Sequence, residues 1–125
     1  MTRILITSHG KLAEGLLHAA KMLIGNMENV DYITFEDNMG LEELKDEVAE
    51  YLNNINEPLL VFTDMRGGTP FNVVTLLTQH MDDVFIFYGA NLPMVVEACL
   101  LKDSLDLKDL AGKIYSNINE GIGIN

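Results

Sequence analysis

Only one of the 125 residues is a cysteine. Cys99 has no internal partner, so no disulfide framework is available and a reducing compartment is the simplest expectation. It sits in the apolar stretch Val95-Val96-Glu97-Ala98-Cys99-Leu100-Leu101 and reads as a small buried hydrophobe rather than a nucleophile. Basic residues are also scarce, with 8 Lys and Arg against 19 Asp and Glu and a formal net charge of −11. Phosphate-backbone recognition needs clustered Lys and Arg, which disfavours nucleic acid and anionic membrane surfaces as partners. The excess acid suits basic protein partners or simple solubility. No apolar run approaches the roughly 18 residues of a membrane span. Met1-Thr2-Arg3-Ile4-Leu5-Ile6 runs straight into a strand pattern without the features of a signal peptide. The expectation is a cytoplasmic protein. Tryptophan is absent too, but this excludes nothing.

Several chemical signatures are missing. There is no GxxxxGK[ST] and no GxGxxG, so nucleotide-phosphate sites have no support. No serine lies in GxSxG, which argues against a hydrolase elbow. No Cys/His cluster suggests zinc. The sequence therefore points to a protein that works without metal or cofactor.

The length fits one domain, residues 1–125. With 48% hydrophobic and 22% charged residues, the composition is that of a globular protein. Seven methionines read as core filler. Strand-like and helix-like segments alternate along the chain. Arg3–Ser8 is β-rich, and Lys11–Ile24 carries a helical stripe at Leu12, Leu16, Ala19, Ala20 and Leu23. Val30–Phe35 alternates as a strand, and Leu41, Leu44, Val48, Leu52 and Ile55 form a second helical stripe. Pro58–Thr63 suits a buried strand. Thr69 at an N-cap and Pro70 at the first helical position open a helix to about Gln79. Val84–Tyr88 is a fourth strand. Asn91 caps the next helix, with Pro93 in its first turn, and a last helix spans Leu107 to about Asn119. Gly121–Asn125 is a short tail of weak strand character, long enough to cover an exposed sheet edge of its own or a partner subunit.

This βα alternation predicts an α/β fold: an open, mainly parallel four-stranded sheet in the flavodoxin-like order 2-1-3-4, with helices on both faces. Two residues then become neighbours. His9 and Asp64 each close an apolar run and precede glycine-bearing turns, His9-Gly10 and Asp64-Met65-Arg66-Gly67-Gly68-Thr69-Pro70. Under the 2-1-3 order they meet at the crevice where the winding direction reverses. His9 precedes a helix whose N-terminus disfavours a cationic ring and welcomes an anion, so one location suits a nucleophilic imidazole and then its phosphorylated product. An Asp64 carboxylate accepting from one ring N–H fixes the tautomer, frees the other nitrogen and stabilises charge that develops during attack. Asp64 before Gly-Gly also fits a turn residue or helix cap; paired with His9, the catalytic role leads. Gly67 and Gly68 let backbone N–H groups approach an anion, and Thr69 can add its hydroxyl. Arg66, the loop's only basic residue, is a candidate contact for phosphate or a partner carboxylate, with a solvated side chain as the plain alternative. His18 and His80 read as surface or capping residues.

Three motifs in order carry a family likeness. Ile4-Leu5-Ile6-Thr7-Ser8-His9-Gly10, Asp64-Met65-Arg66-Gly67-Gly68-Thr69-Pro70-Phe71-Asn72 and Gly89-Ala90-Asn91-Leu92-Pro93-Met94 together resemble the enzyme IIA domain of the mannose-type sugar phosphotransferase system, over about Arg3 to Asp103. The resemblance implies a phosphotransferase with a transient phosphohistidine at His9. The phosphoryl group would come from the phosphocarrier HPr and pass to a sugar-specific IIB protein, which serves membrane IIC and IID subunits. The family's aspartate maps onto Asp64 and its site hydroxyl onto Thr69. The resemblance further implies a stand-alone cytoplasmic IIA protein associating peripherally with the transporter. It also implies a homodimer with a C-terminal strand exchanged between subunits. Two other readings stay open: a phosphocarrier serving a dihydroxyacetone kinase, and a non-catalytic flavodoxin-like regulatory module. The Gly-Gly-Thr-Pro-Phe-Asn loop favours the sugar-transport branch, while the sugar itself is not encoded in these motifs.

Overall fold

The computed structural model describes residues 1–125. Four strands, β1 (Arg3–His9), β2 (Val30–Phe35), β3 (Leu59–Thr63) and β4 (Val84–Phe87), alternate with α1 (Leu12–Ile24), α2 (Leu41–Asn53), α3 (Thr69–Thr78) and α4 (Leu92–Leu101), and α5 (Leu107–Ser116) follows. The sheet order is β2-β1-β3-β4, and all three pairings are parallel. The expected order, direction and two-sided helix cover are what the structure has.

Strand alternation splits the apolar residues between two cores. Ile4, Ile6, Leu60 and Phe62 face α1, α4 and α5. Leu5, Ile33, Leu59 and Val61 face α2 and α3. All five residues of β3 are buried, because a central parallel strand is covered on both sides. Each fully buried Leu, Ile or Phe contributes about 1.5–3 kcal/mol, against roughly 0–1 for a surface ion pair. The two cores therefore hold the fold.

The N-terminal edge of the sheet is closed by one side chain. Arg3 donates from Nη1 to Asp31 Oδ2 at 3.0 Å, and from Nη2 to Glu57 Oε2 at 3.1 Å and Asn29 Oδ1 at 2.9 Å. Tyr51 O–H donates to the same Asp31 oxygen at 2.9 Å. At the other end of the sheet β1 closes on His9 and β3 runs out just before Asp64.

Some boundaries differ from the sequence reading. The N-cap of α3 is Gly68, not Thr69, which is already helical, with Pro70 second. Gly68 has the extended backbone of a cap (φ −73°, ψ 163°), and its carbonyl accepts the first helical bond from Asn72 N–H at 2.9 Å. Lys11 stands just outside α1, whose start is secured by Ser8 Oγ accepting the Ala13 N–H at 2.7 Å. α5 stops at Ser116 rather than near Asn119, and a 3₁₀ turn takes Ile118–Gly121. There Asn117 donates its side-chain amide to Glu97 of α4 at 2.6 Å, which draws the chain off the helix axis. Residues 122–125 are exposed and outside the sheet. β1 runs one residue further than expected, through His9, and β4 stops one earlier, at Phe87.

Candidate functional site

The switch point lies between β1 and β3, where the chain winds first toward β2 and then toward β4. His9 is the last residue of β1 and Asp64 the first after β3. Their side chains meet at 2.7 Å between His9 Nδ1 and Asp64 Oδ2. The same oxygen accepts the backbone N–H of His9 at 2.9 Å, and Oδ1 accepts that of Met65 at 2.9 Å. One carboxylate thus fixes both backbone and ring of the histidine. The imidazole is 46% exposed and the carboxylate 12%, so the ring meets solvent while its anchor is covered. Partial burial pushes the Asp64 carboxyl up, yet the hydrogen bonds from His9 and Met65 outweigh it and hold it below the usual aspartate value.

With Nδ1 engaged, Nε2 is the free ring nitrogen. The ring leans on α3: a Cβ at Gly68 would lie 2.9 Å from His9 Cε1 and 3.1 Å from Met65 Cγ. Cε1 bonds both nitrogens, so Nε2 is one bond from the atom that touches the cap of α3. No backbone carbonyl takes the N–H groups of Gly67, Thr69 or Phe71, and the first turn of α3 carries no acidic residue. Such a helix start favours an anion. Gly67 is needed for conformation (φ +82°, with open space about it), whereas Gly68 is needed for room. Asn72 steadies the loop by donating from Nδ2 to Gly67 C=O at 3.1 Å.

His9 and Asp64 are therefore brought together, and Gly67, Gly68 and Thr69 line the adjoining helix start. The guanidinium carbon of Arg66 stands 5.9 Å from the centroid of Tyr88. His18 and His80 are exposed on α1 and beyond α3. Phe35, unremarked in the sequence, sets its ring against His9 at 5.7 Å and 70°. It lines with Gly10, Glu36, Asp37 and Met39 a cavity of about 320 Å³ open to the imidazole. Strand register, pairing His9 with Phe35, is the signal that would have found it.

Fold and site together define a doubly wound α/β protein with a carboxylate-oriented histidine at its switch point. A family model described as "PTS system fructose IIA component" matches residues 3–115, and the chain belongs to that family, the mannose-type IIA components of the sugar phosphotransferase system. Its members are phosphotransfer proteins. The chain is 33% identical over 102 residues to the mannose-specific EIIAB component of the phosphotransferase system of Escherichia coli strain K12; the match covers 80% of this chain and 32% of that protein, about a third of its length. It is 28% identical to the fructose-specific EIIA component of Bacillus subtilis strain 168, over 91% of this chain and 80% of that one. Among solved structures, the EIIA component from Streptococcus agalactiae superposes with a TM-score of 0.91 at 31% identity, covering 99% of this chain and 97% of that one. No helix is long and apolar enough to cross a membrane.

Proposed function

We propose that His9 carries the phosphoryl group, accepting it from phospho-HPr and passing it to a IIB protein during sugar import. The observation that carries this reading is the Nδ1–Oδ2 contact of 2.7 Å, which leaves Nε2 free beside the start of α3. In the transfer step the Nε2 lone pair attacks phosphorus. The new P–N bond forms as the donor's P–N bond breaks, and that electron pair returns to the donor ring. Asp64 keeps the Nδ1 proton in place and offsets the positive charge developing on the imidazole. The open N–H groups of Gly67 and Thr69, with the Thr69 hydroxyl, would hold the phosphoryl oxygens. The step draws on protein groups alone, with no metal or cofactor assigned a role.

In this reading residues 1–125 form one IIA domain acting in the cytoplasm, meeting the membrane IIC and IID subunits only through IIB. Labelling from radioactive phosphoenolpyruvate with enzyme I and HPr tests the assignment. His9→Ala should abolish acid-labile label, while His18→Ala and His80→Ala keep it. Label persisting in the His9 variant would overturn the reading.

We also propose a homodimer. β4 is an edge strand, and beside it Phe85, Phe87, Tyr88, Tyr115 and Ile118 line an apolar groove of about 530 Å³. The tail carries Ile122 and Ile124, both exposed. A partner's tail laid along β4 would cover groove and strand edge together.

A further inference from the structure

We infer that Arg66, placed over the Tyr88 ring, is a specificity residue that takes a carboxylate on the face of the phosphocarrier docking over His9. The inference rests on the phosphotransfer reading and adds how the donor is recognised.

Three segments build the feature. Arg66 comes from the loop between β3 and α3, Phe71 from the first turn of α3, and Tyr88 from the residue after β4. The guanidinium carbon lies 5.9 Å from the Tyr88 ring centroid. Phe71 meets Tyr88 edge-on, at 5.8 Å and 86°. Phe71 steadies the Tyr88 ring, and the cation lies over that ring. Arg66 forms none of the chain's ion pairs, although the chain carries 19 acidic residues. Its guanidinium is exposed, oriented and without an anion of its own. Arginine presents a planar fork that matches an oxyanion at two points, and stacking reduces the freedom it must lose on binding.

Position decides which oxyanion. In the order β2-β1-β3-β4, His9 stands at the end of β1, and Tyr88 follows β4 on the far side of β3. The Arg66 guanidinium lies by Tyr88, which follows β4, two strands from the one that ends in His9, and this places it on the flank of the transfer path. The anion it meets belongs to the docked protein's surface rather than to the phosphoryl group. A chain of net charge −11 draws basic partners at long range. A fixed cation on its rim then discriminates among them: it repels a wholly basic face and rewards one with an acidic residue at the matching place. Exposed Met65 and Tyr88 beside Arg66 give the flank a composition typical of interface centres.

The test is steady-state phosphate transfer from purified phospho-HPr to the full chain, with donor concentration varied. Arg66→Glu should raise the KM for phospho-HPr by about tenfold or more while kcat stays within about twofold. Arg66→Lys keeps the charge but loses stacking and fork, and should recover only part of the loss. Tyr88→Ala should raise KM less than Arg66→Glu, and adding it to Arg66→Ala should cost nothing further, because both act through one contact. A single Asp or Glu→Lys change on HPr should restore the KM of the Arg66→Glu chain and impair transfer to wild type. Thermal melting of each variant checks its fold. A fall in kcat at constant KM would place Arg66 on the phosphoryl group and overturn the inference, as would an unchanged KM. If wild type takes no phosphate from phospho-HPr, the phosphotransfer reading itself falls.

Discussion

Asp64 Oδ2 accepts two hydrogen bonds from one residue, the backbone and ring N–H of His9. Asp64→Asn keeps the size but loses the charge and turns one oxygen into a donor. Transfer to His9 should slow by at least about tenfold in a folded protein, since positioned acid–base partners typically supply 10²–10⁴; stopped-flow transfer kinetics would measure it. The carboxyl titrates below its ordinary value in the fold. Its stabilising contribution is thus complete above the unfolded value of about 4 and is lost as pH falls through the lower folded value. Acid unfolding of Asp64→Asn, followed by circular dichroism, should consequently show a shallower loss of stability below about pH 4 than wild type. Gly68→Ala is a different case. The backbone there accommodates alanine, but its methyl would meet His9 Cε1 at 2.9 Å. The ring must shift, and transfer should fall by about tenfold or more with the melting temperature little changed. His9 and Asp64 were legible in the sequence because each ends a strand-like run before glycine. Phe35 and Tyr88 were not, since their partners lie across the sheet and no local pattern announces them.

At the level of elements, periodicity located the four strands and five helices, and the misplacements concern ends, where backbone capping and tertiary bonds compete. Thr69 has the chemistry of a cap, yet Gly68 occupies it, because the His9 ring needs the space a side chain there would fill. α5 ends early because Asn117 bonds Glu97, twenty residues away. The Arg3 clamp was invisible for the same reason: its partners stand 26, 28 and 54 residues away. Arg3 lowers the Glu57 carboxyl to about 2, so this pairing weakens only as pH falls from the ordinary glutamate range toward that value. Arg3→Ala should loosen the first residues of β2 and β3 against β1 at the end of the sheet opposite His9. The melting temperature should drop by several degrees, read by calorimetry, while phosphate transfer persists.

On the scale of the whole molecule, the unpaired edge of β4 is the main exposed liability. Light scattering at micromolar concentration should report a dimer for the full chain. Deleting Gly121–Asn125 should shift it to monomer if the tail covers that edge; a full-length monomer would remove the dimer claim. The tail leaves the fold where Gly121 packs against Pro93, so closely that a Cβ would sit 2.9 Å from the proline ring. Pro93 lies in the first turn of α4, on the same side of the sheet as His9. The opposite end is set by Thr2 N–H donating to Lys102 C=O at 3.3 Å, and the seven residues of β1 place that end about 20 Å from His9. For anyone fixing this protein to a sensor chip or attaching a dye, the two termini are consequently not equivalent. A tether at Met1 holds the molecule by its back and leaves the histidine facing the flow. One at Asn125 crowds the rim that carries His9.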